Sequence, residues 1–71
     1  MIVVLDAKKM TDKDATHAYL KKVFCLPDYY GNNLDALHDC LEEMKDIKIV
    51  VMNEEQAGEY YRRVKRVLDD I

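Results

Sequence analysis

Long apolar stretches are missing from these 71 residues: the longest aliphatic runs are "IVVL" at Ile2–Leu5 and "IVVM" at Ile49–Met52. A helix that spans a bilayer needs about 20 apolar residues, so neither run is one. Met1 leads directly into the first run, with no basic n-region and no cleavage site, and the chain is expected to be cytoplasmic. Cysteine is scarce as well. Cys25 and Cys40 are too few for the disulfide framework of a small secreted domain, and no C-x-x-C or histidine-rich spacing marks a zinc site. Both read as free thiols acting as small hydrophobes. Internal repeats and low-complexity segments are absent, and the length allows one domain over residues 1–71. Such a chain buries only about 60% of its unfolded surface, so its core is small. Nearly half the residues are hydrophobic, which excludes a disordered chain.

Turn-forming residues are rare, and they are concentrated. The single proline and one of the two glycines fall in "PDYYGNNLDALHDCL", from Pro27 to Leu41, beside paired tyrosines and paired asparagines. Negative charge gathers in the same place. From Pro27 to Asp46 six acids (Asp28, Asp35, Asp39, Glu42, Glu43, Asp46) meet one base (Lys45), while the rest of the chain holds eight acids and ten bases. An acidic patch of −5 on a body of +2 argues against nucleic acid as the direct ligand. It favours a basic protein partner or a cation.

The pattern along the chain is β-α-α-β-α. "IVVL" reads as a strand buried on both faces. Thr11 is a plausible cap for a first helix, with Asp12 and Asp14 in its first turn. Thr16, Tyr19, Leu20, Val23 and Phe24 share one face of that helix, and Leu26-Pro27 ends it, because the residue before proline avoids the helical region. Pro27 to Asn33 is a loop in which Gly31 can take positive φ and Asn32 tolerates it. Asn33 caps a second helix from Leu34, whose apolar stripe is Leu34, Leu37, Cys40, Leu41 and Met44. "KIVVM" at Lys48–Met52 is a second buried strand. "NEEQ" then supplies an Asn53 cap for a last helix, with Gly58 costing about 1 kcal/mol relative to alanine and making the first turn irregular. Tyr60, Val64, Val67, Leu68 and Ile71 form its apolar stripe; Arg62, Arg63, Lys65 and Arg66 point elsewhere. Two aliphatic strands joined by long helical crossovers imply a small parallel sheet packed with helices, an α/β fold.

Asp35 and Asp39 are four residues apart and project from one helix face, where like charges repel by a few tenths of a kcal/mol, roughly. Asp35 is compensated by the helix dipole; Asp39, further in, gains less. The bland explanation is a solvated face. Asp35, His38 and Glu42 are also spaced for one face and could bind a divalent metal, but no second ligand cluster and no nucleophile accompanies them. His38 and His17 read as surface or packing residues. Tyr19 and Tyr60 fall in apolar stripes and belong to the core. Of Tyr29 and Tyr30, one packs beneath the loop and the other faces out, available for binding.

"LPDYYGNNLDALHDCL" closely resembles the corresponding segment of the barstar family, intracellular inhibitors of the ribonuclease barnase. The pattern L-P-x-Y-Y-G-x-N-L-D-A-L-x-D-C-L is long and rich in unusual residues. The resemblance is dense from Leu20 to Val51, looser from Met1 to Tyr19 and thin after Met52. It implies a parallel three-stranded sheet with helices, of which two strands are evident here. It also implies that the loop and acidic helix plug a ribonuclease active site, with carboxylates standing where RNA phosphates would sit. By position, Asp39 would be the phosphate mimic, and Asp35 and Tyr29 neighbouring contacts. Gly31, Asn33 and Leu34 would hold the loop and its junction with the helix. With His38 and Glu42 on the same face, the expected partner-binding set is Tyr29, Gly31, Asn33, Leu34, Asp35, His38, Asp39 and Glu42. No catalytic residue, metal or cofactor is expected. The expected partner is a basic, barnase-like ribonuclease of the extracellular type; the alternative is another basic protein bound by the same fold.

Three departures from the family pattern bear on these expectations. Tryptophan stands in the family where this chain has His38, and again where it has Met44. A glutamate on the family's last helix also contacts the enzyme, and whether Asp69 or Asp70 corresponds to it is open. The family's third, C-terminal strand follows the last helix, whereas this sequence stops at Ile71. Without that strand the first strand has an open edge. Either the short form persists as a weakly stable monomer, or two copies join as a weak homodimer through strand edges or an uncovered apolar face. The apolar stripe of the last helix favours the second.

Overall fold

The computed structural model describes residues 1–44 and 46–71; Lys45, the one base of the acidic stretch, lies outside them. Strands β1 (Ile2–Asp6) and β2 (Lys48–Met52) pair in parallel, from Ile2 opposite Lys48 to Asp6 opposite Met52. Helices α1 (Lys13–Val23), α2 (Leu34–Glu42) and α3 (Tyr61–Asp69) complete the order β-α-α-β-α, an α/β fold. Each strand runs into a short 3-10 turn, Ala7–Lys9 after β1 and Glu54–Gln56 after β2, and the two turns pack together.

The sheet is covered on one face only. Leu5 is fully buried, and Val3, Ile49 and Val51 pack against the core, with Met10, Leu20, Leu37, Leu41 and Val64 at its centre. The alternate residues of the same strands, Ile2, Val4, Val50 and Met52, are exposed. Burial of β1 on both faces is therefore not observed: three short helices supply one layer, and side chains of a strand alternate in direction. The apolar stripe of α3 fares differently from the expectation that it would stay uncovered. Val64 is buried, and Tyr60, Val67 and Leu68 are packed on the core; only Ile71 is exposed. The uncovered apolar surface lies on the sheet.

The local boundaries differ from expectation at four places, each with a stereochemical reason. The cap of α1 is Asp12, not Thr11: its Oδ1 accepts from the Ala15 N–H at 2.8 Å. The same helix stops at Val23, before Leu26-Pro27. Cys25 takes the left-handed conformation (φ 53°), and the Leu26 and Cys25 N–H groups return to the Lys21 and Lys22 carbonyls at 2.9 and 3.4 Å. This is the Schellman ending, with proline just beyond it. Asn53 does not cap a helix. It sits at φ 58° with no side-chain cap bond, and its Nδ2 donates to Asp6 Oδ1 at 3.1 Å, tying together the ends of the two strands. Helix α3 begins only at Tyr61, because Gly58 is drawn against the loop before α1: its N–H donates to the Met10 carbonyl at 2.9 Å. A Cβ on Gly58 would lie 2.0 Å from the Thr11 carbonyl oxygen.

Candidate functional site

The loop from Pro27 to Asn33 is pinned from below and open above. Tyr30 is buried at 5% exposure, while its neighbour Tyr29 is 86% exposed. The pin is a histidine between two phenols. His17, buried on α1, meets the Tyr30 hydroxyl at Nδ1 (2.5 Å) and the Tyr60 hydroxyl at Nε2 (2.6 Å). A neutral imidazole has one donor and one acceptor nitrogen, so one phenol accepts from it and the other donates to it. Burial lowers the pKa of His17, with Lys13 adding to the effect, and so favours this neutral form. Burial likewise pushes the Tyr30 phenol far above its ordinary range. One side chain thus fixes the loop, α1 and the entry to α3 at once. In the sequence His17 looks like an ordinary surface or packing residue; its position three residues before Leu20, on the buried side of α1, is the signal that marks it.

The far end of the loop is set by Asn33. Its Oδ1 accepts from the Ala36 N–H at 2.8 Å as the expected cap of α2, and its Nδ2 donates to the Gly31 carbonyl at 3.2 Å. Gly31 does not use positive φ; Asn32 does, at 52°. Glycine at 31 instead makes room, since a Cβ there would come within 2.9 Å of Asn33 Nδ2. Leu34 is half-buried at the junction and packs on the core.

From this junction α2 presents Asp35, Asp39 and Glu42 to solvent, all exposed, over a floor of Leu37 and Leu41. Among the described residues neither Asp35 nor Asp39 has a basic partner within 4 Å. His38 lies between the faces and links helices. Its Nδ1 meets Glu42 Oε1 at 3.2 Å and its Nε2 meets Asp70 Oδ2, just past α3, at 2.9 Å. The Asp70 hydrogen bond raises the His38 pKa; Glu42 and Asp39 add to it and desolvation opposes it. The metal reading is also revised. Among the described residues, the three whose ligating atoms lie within 4.8 Å of one another are His38, Asp39 and Glu42, and Asp35 is not among them. Both ring nitrogens of His38 meet carboxylates, Glu42 on its own helix and Asp70 just past α3, so His38 ties α2 to the end of α3. It also places Asp70, rather than Asp69, beside the acidic face.

Of the eight expected residues, Tyr29, Asp35, Asp39 and Glu42 are exposed, Gly31 and Asn33 shape the turn, and His38 is half-buried between Glu42 and Asp70; Tyr29 lines a shallow groove with Cys40, Glu43 and Met44, and Asp35 lines another with Lys13, Tyr60 and Arg63. Leu34, the eighth, is half-buried at the junction of loop and helix. The arrangement is an exposed tyrosine on a braced loop followed by a helix with three exposed carboxylates, of which Glu42 meets His38 while Asp35 and Asp39, among the described residues, meet no base within 4 Å. Among the described residues no helix is long and apolar enough to cross a membrane.

Comparison with known proteins identifies the family. A curated protein of Bacillus subtilis (strain 168), described as "Putative ribonuclease inhibitor YrdF", is 36% identical over 50 residues, covering 70% of this chain and 55% of that protein. The chain therefore spans about half the length of that relative. No solved structure matches. The family described as Barstar (barnase inhibitor) matches over residues 1–71, and the chain belongs to that family.

Proposed function

We propose that this chain inhibits a basic, barnase-like ribonuclease by laying the Pro27–Asn33 loop and the acidic face of α2 into its active site. Asp39 occupies the place of an RNA phosphate, Asp35 and Tyr29 contact the rim, and Asp70 extends the acidic surface from α3. Carboxylates opposite lysine and guanidinium groups in a desolvated site form short, geometrically specific pairs. The observation that carries the reading is an exposed Tyr29 on a loop held by buried Tyr30, followed by α2 with exposed Asp35 and Asp39 that, among the described residues, meet no base within 4 Å. Bracing matters because a loop that is already ordered loses little further freedom on binding. In this reading the protein performs no catalysis and needs no cofactor, and residues 1–71 act as one domain.

A second reading, in which the same face binds a different basic protein, is favoured by one observation. His38 stands where the family has tryptophan, and it is turned toward Glu42 and Asp70 instead of a partner. The two readings separate in an inhibition titration against a basic microbial ribonuclease. Wild type is expected to stop RNA cleavage, and Asp39→Ala to lose most of that inhibition while keeping its fold by circular dichroism. Removing an exposed acid beside other acids changes stability by less than about 0.5 kcal/mol. Full inhibition by folded Asp39→Ala would overturn the site; no inhibition by wild type would favour the second reading.

A further inference from the structure

We infer that the arginine face of α3 docks the acidic α2 face of a second copy of this chain, forming a closed two-fold dimer held by charge. Arg62, Arg63 and Arg66 are exposed and lie one, three and four residues apart, on adjoining sides of one helix. With Tyr60 and Glu59 they line a groove of about 570 Å³. Among the described residues, none of the three has a carboxylate within 4 Å. Arginine clusters of this kind fit carboxylates, which they can hold through two parallel hydrogen bonds.

The complementary surface is next door. A second cavity, of about 440 Å³, is lined by Asn33, Leu34 and Asp35 on one side and by Lys13, Tyr60 and Arg63 on the other. The acidic and basic faces therefore adjoin on one side of the molecule. A two-fold axis through this cavity sets Asp35 of each copy against Arg63 of the other, so that each contact forms twice and the assembly closes. The net negative charge beside the groove disfavours a polyphosphate strand as its occupant. Exposed ion pairs are individually weak and strongly screened, so the dimer belongs to low ionic strength. The inference does not depend on the ribonuclease reading.

Light scattering on the intact chain tests it, with no ribonuclease present. At about 10 mM salt the screening length is about 30 Å, and at about 1 M it is about 3 Å. The expected mass rises from 8.3 kDa toward twice that value with concentration at low salt, and returns to 8.3 kDa at high salt. Arg63→Glu and Asp35→Arg, each checked for fold by circular dichroism, are expected to be monomeric alone. Mixed in equal amounts, they restore the doubled mass, because each reversed charge then meets its opposite. A monomer at every concentration in low salt overturns the inference, as does a mixture of the two variants that stays monomeric. A doubled mass that survives or grows at high salt assigns the contact to the exposed sheet face and also overturns it. So does a mass that climbs past the dimer, the mark of an open chain of copies.

Discussion

Cys25 occupies a backbone conformation (φ 53°) that suits glycine, at the position after a helix where glycine is most common. Its thiol is exposed, so little packing is lost on removing it. Relief of the left-handed strain outweighs the added flexibility of the unfolded chain, and Cys25→Gly is expected to stabilise by about 0.5–1 kcal/mol. In a domain of this size that raises the melting temperature by about 3–6 °C, readable by thermal denaturation. An unchanged or lower melting temperature would count against the assigned helix ending. Residues with one strong local preference are legible from sequence: Asn33 as a cap, and a divided pair at Tyr29 and Tyr30. Where several residues share a turn, the sequence does not say which one takes positive φ. Asn32 takes it and Gly31 does not, because the Asn33 side chain folds back over Gly31 and needs the space.

At the scale of elements, two joints hold α3 in place, and each makes a distinct prediction. The first is Gly58. Helix propensity alone makes Gly58→Ala favourable by about 1 kcal/mol. The structure predicts the opposite sign, because the new Cβ would collide with the Thr11 backbone 2.0 Å away and force the two segments apart. Overpacking against a backbone that cannot yield costs about 1–3 kcal/mol, measurable by urea denaturation. The second joint is His38 between Glu42 and Asp70. Its pKa is raised in the folded protein, so its contribution is complete below the unfolded value of about 6.5 and is lost as pH rises through the folded value. His17 acts in the other sense: burial lowers its pKa, and its contribution is lost as pH falls below about 6.5. Asp70→Asn leaves His17 untouched and isolates the first effect. The melting-temperature gap between wild type and Asp70→Asn is expected to be wide near pH 6 and to close toward pH 9; a gap independent of pH would contradict the tie. Periodic stripes make the helices legible, and aliphatic runs the strands. The joints are not, because both depend on residues far apart in the chain: 38 with 70, and 58 with 11.

For the whole molecule, the radius of gyration of 11.0 Å equals the value of about 11 Å for a compact chain of this length, despite the sheet face left open at Ile2, Val4, Val50 and Met52. The molecule is compact but divided by charge. Carboxylates gather on α2 and at the end of α3, and the arginines on the exposed side of α3. That division is partly legible, since the acidic run is continuous in sequence, whereas the approach of Asp70 to His38 needs the fold. It is also the basis of the central claim that an acidic, braced face captures a basic ribonuclease. Opposed fields accelerate encounter most at low salt, and screening beyond about 8–10 Å removes that gain near physiological ionic strength. The most direct test is stopped-flow association with a basic ribonuclease across that range of salt. The association rate is predicted to fall by about tenfold or more while dissociation changes much less; an association rate independent of salt would contradict the account.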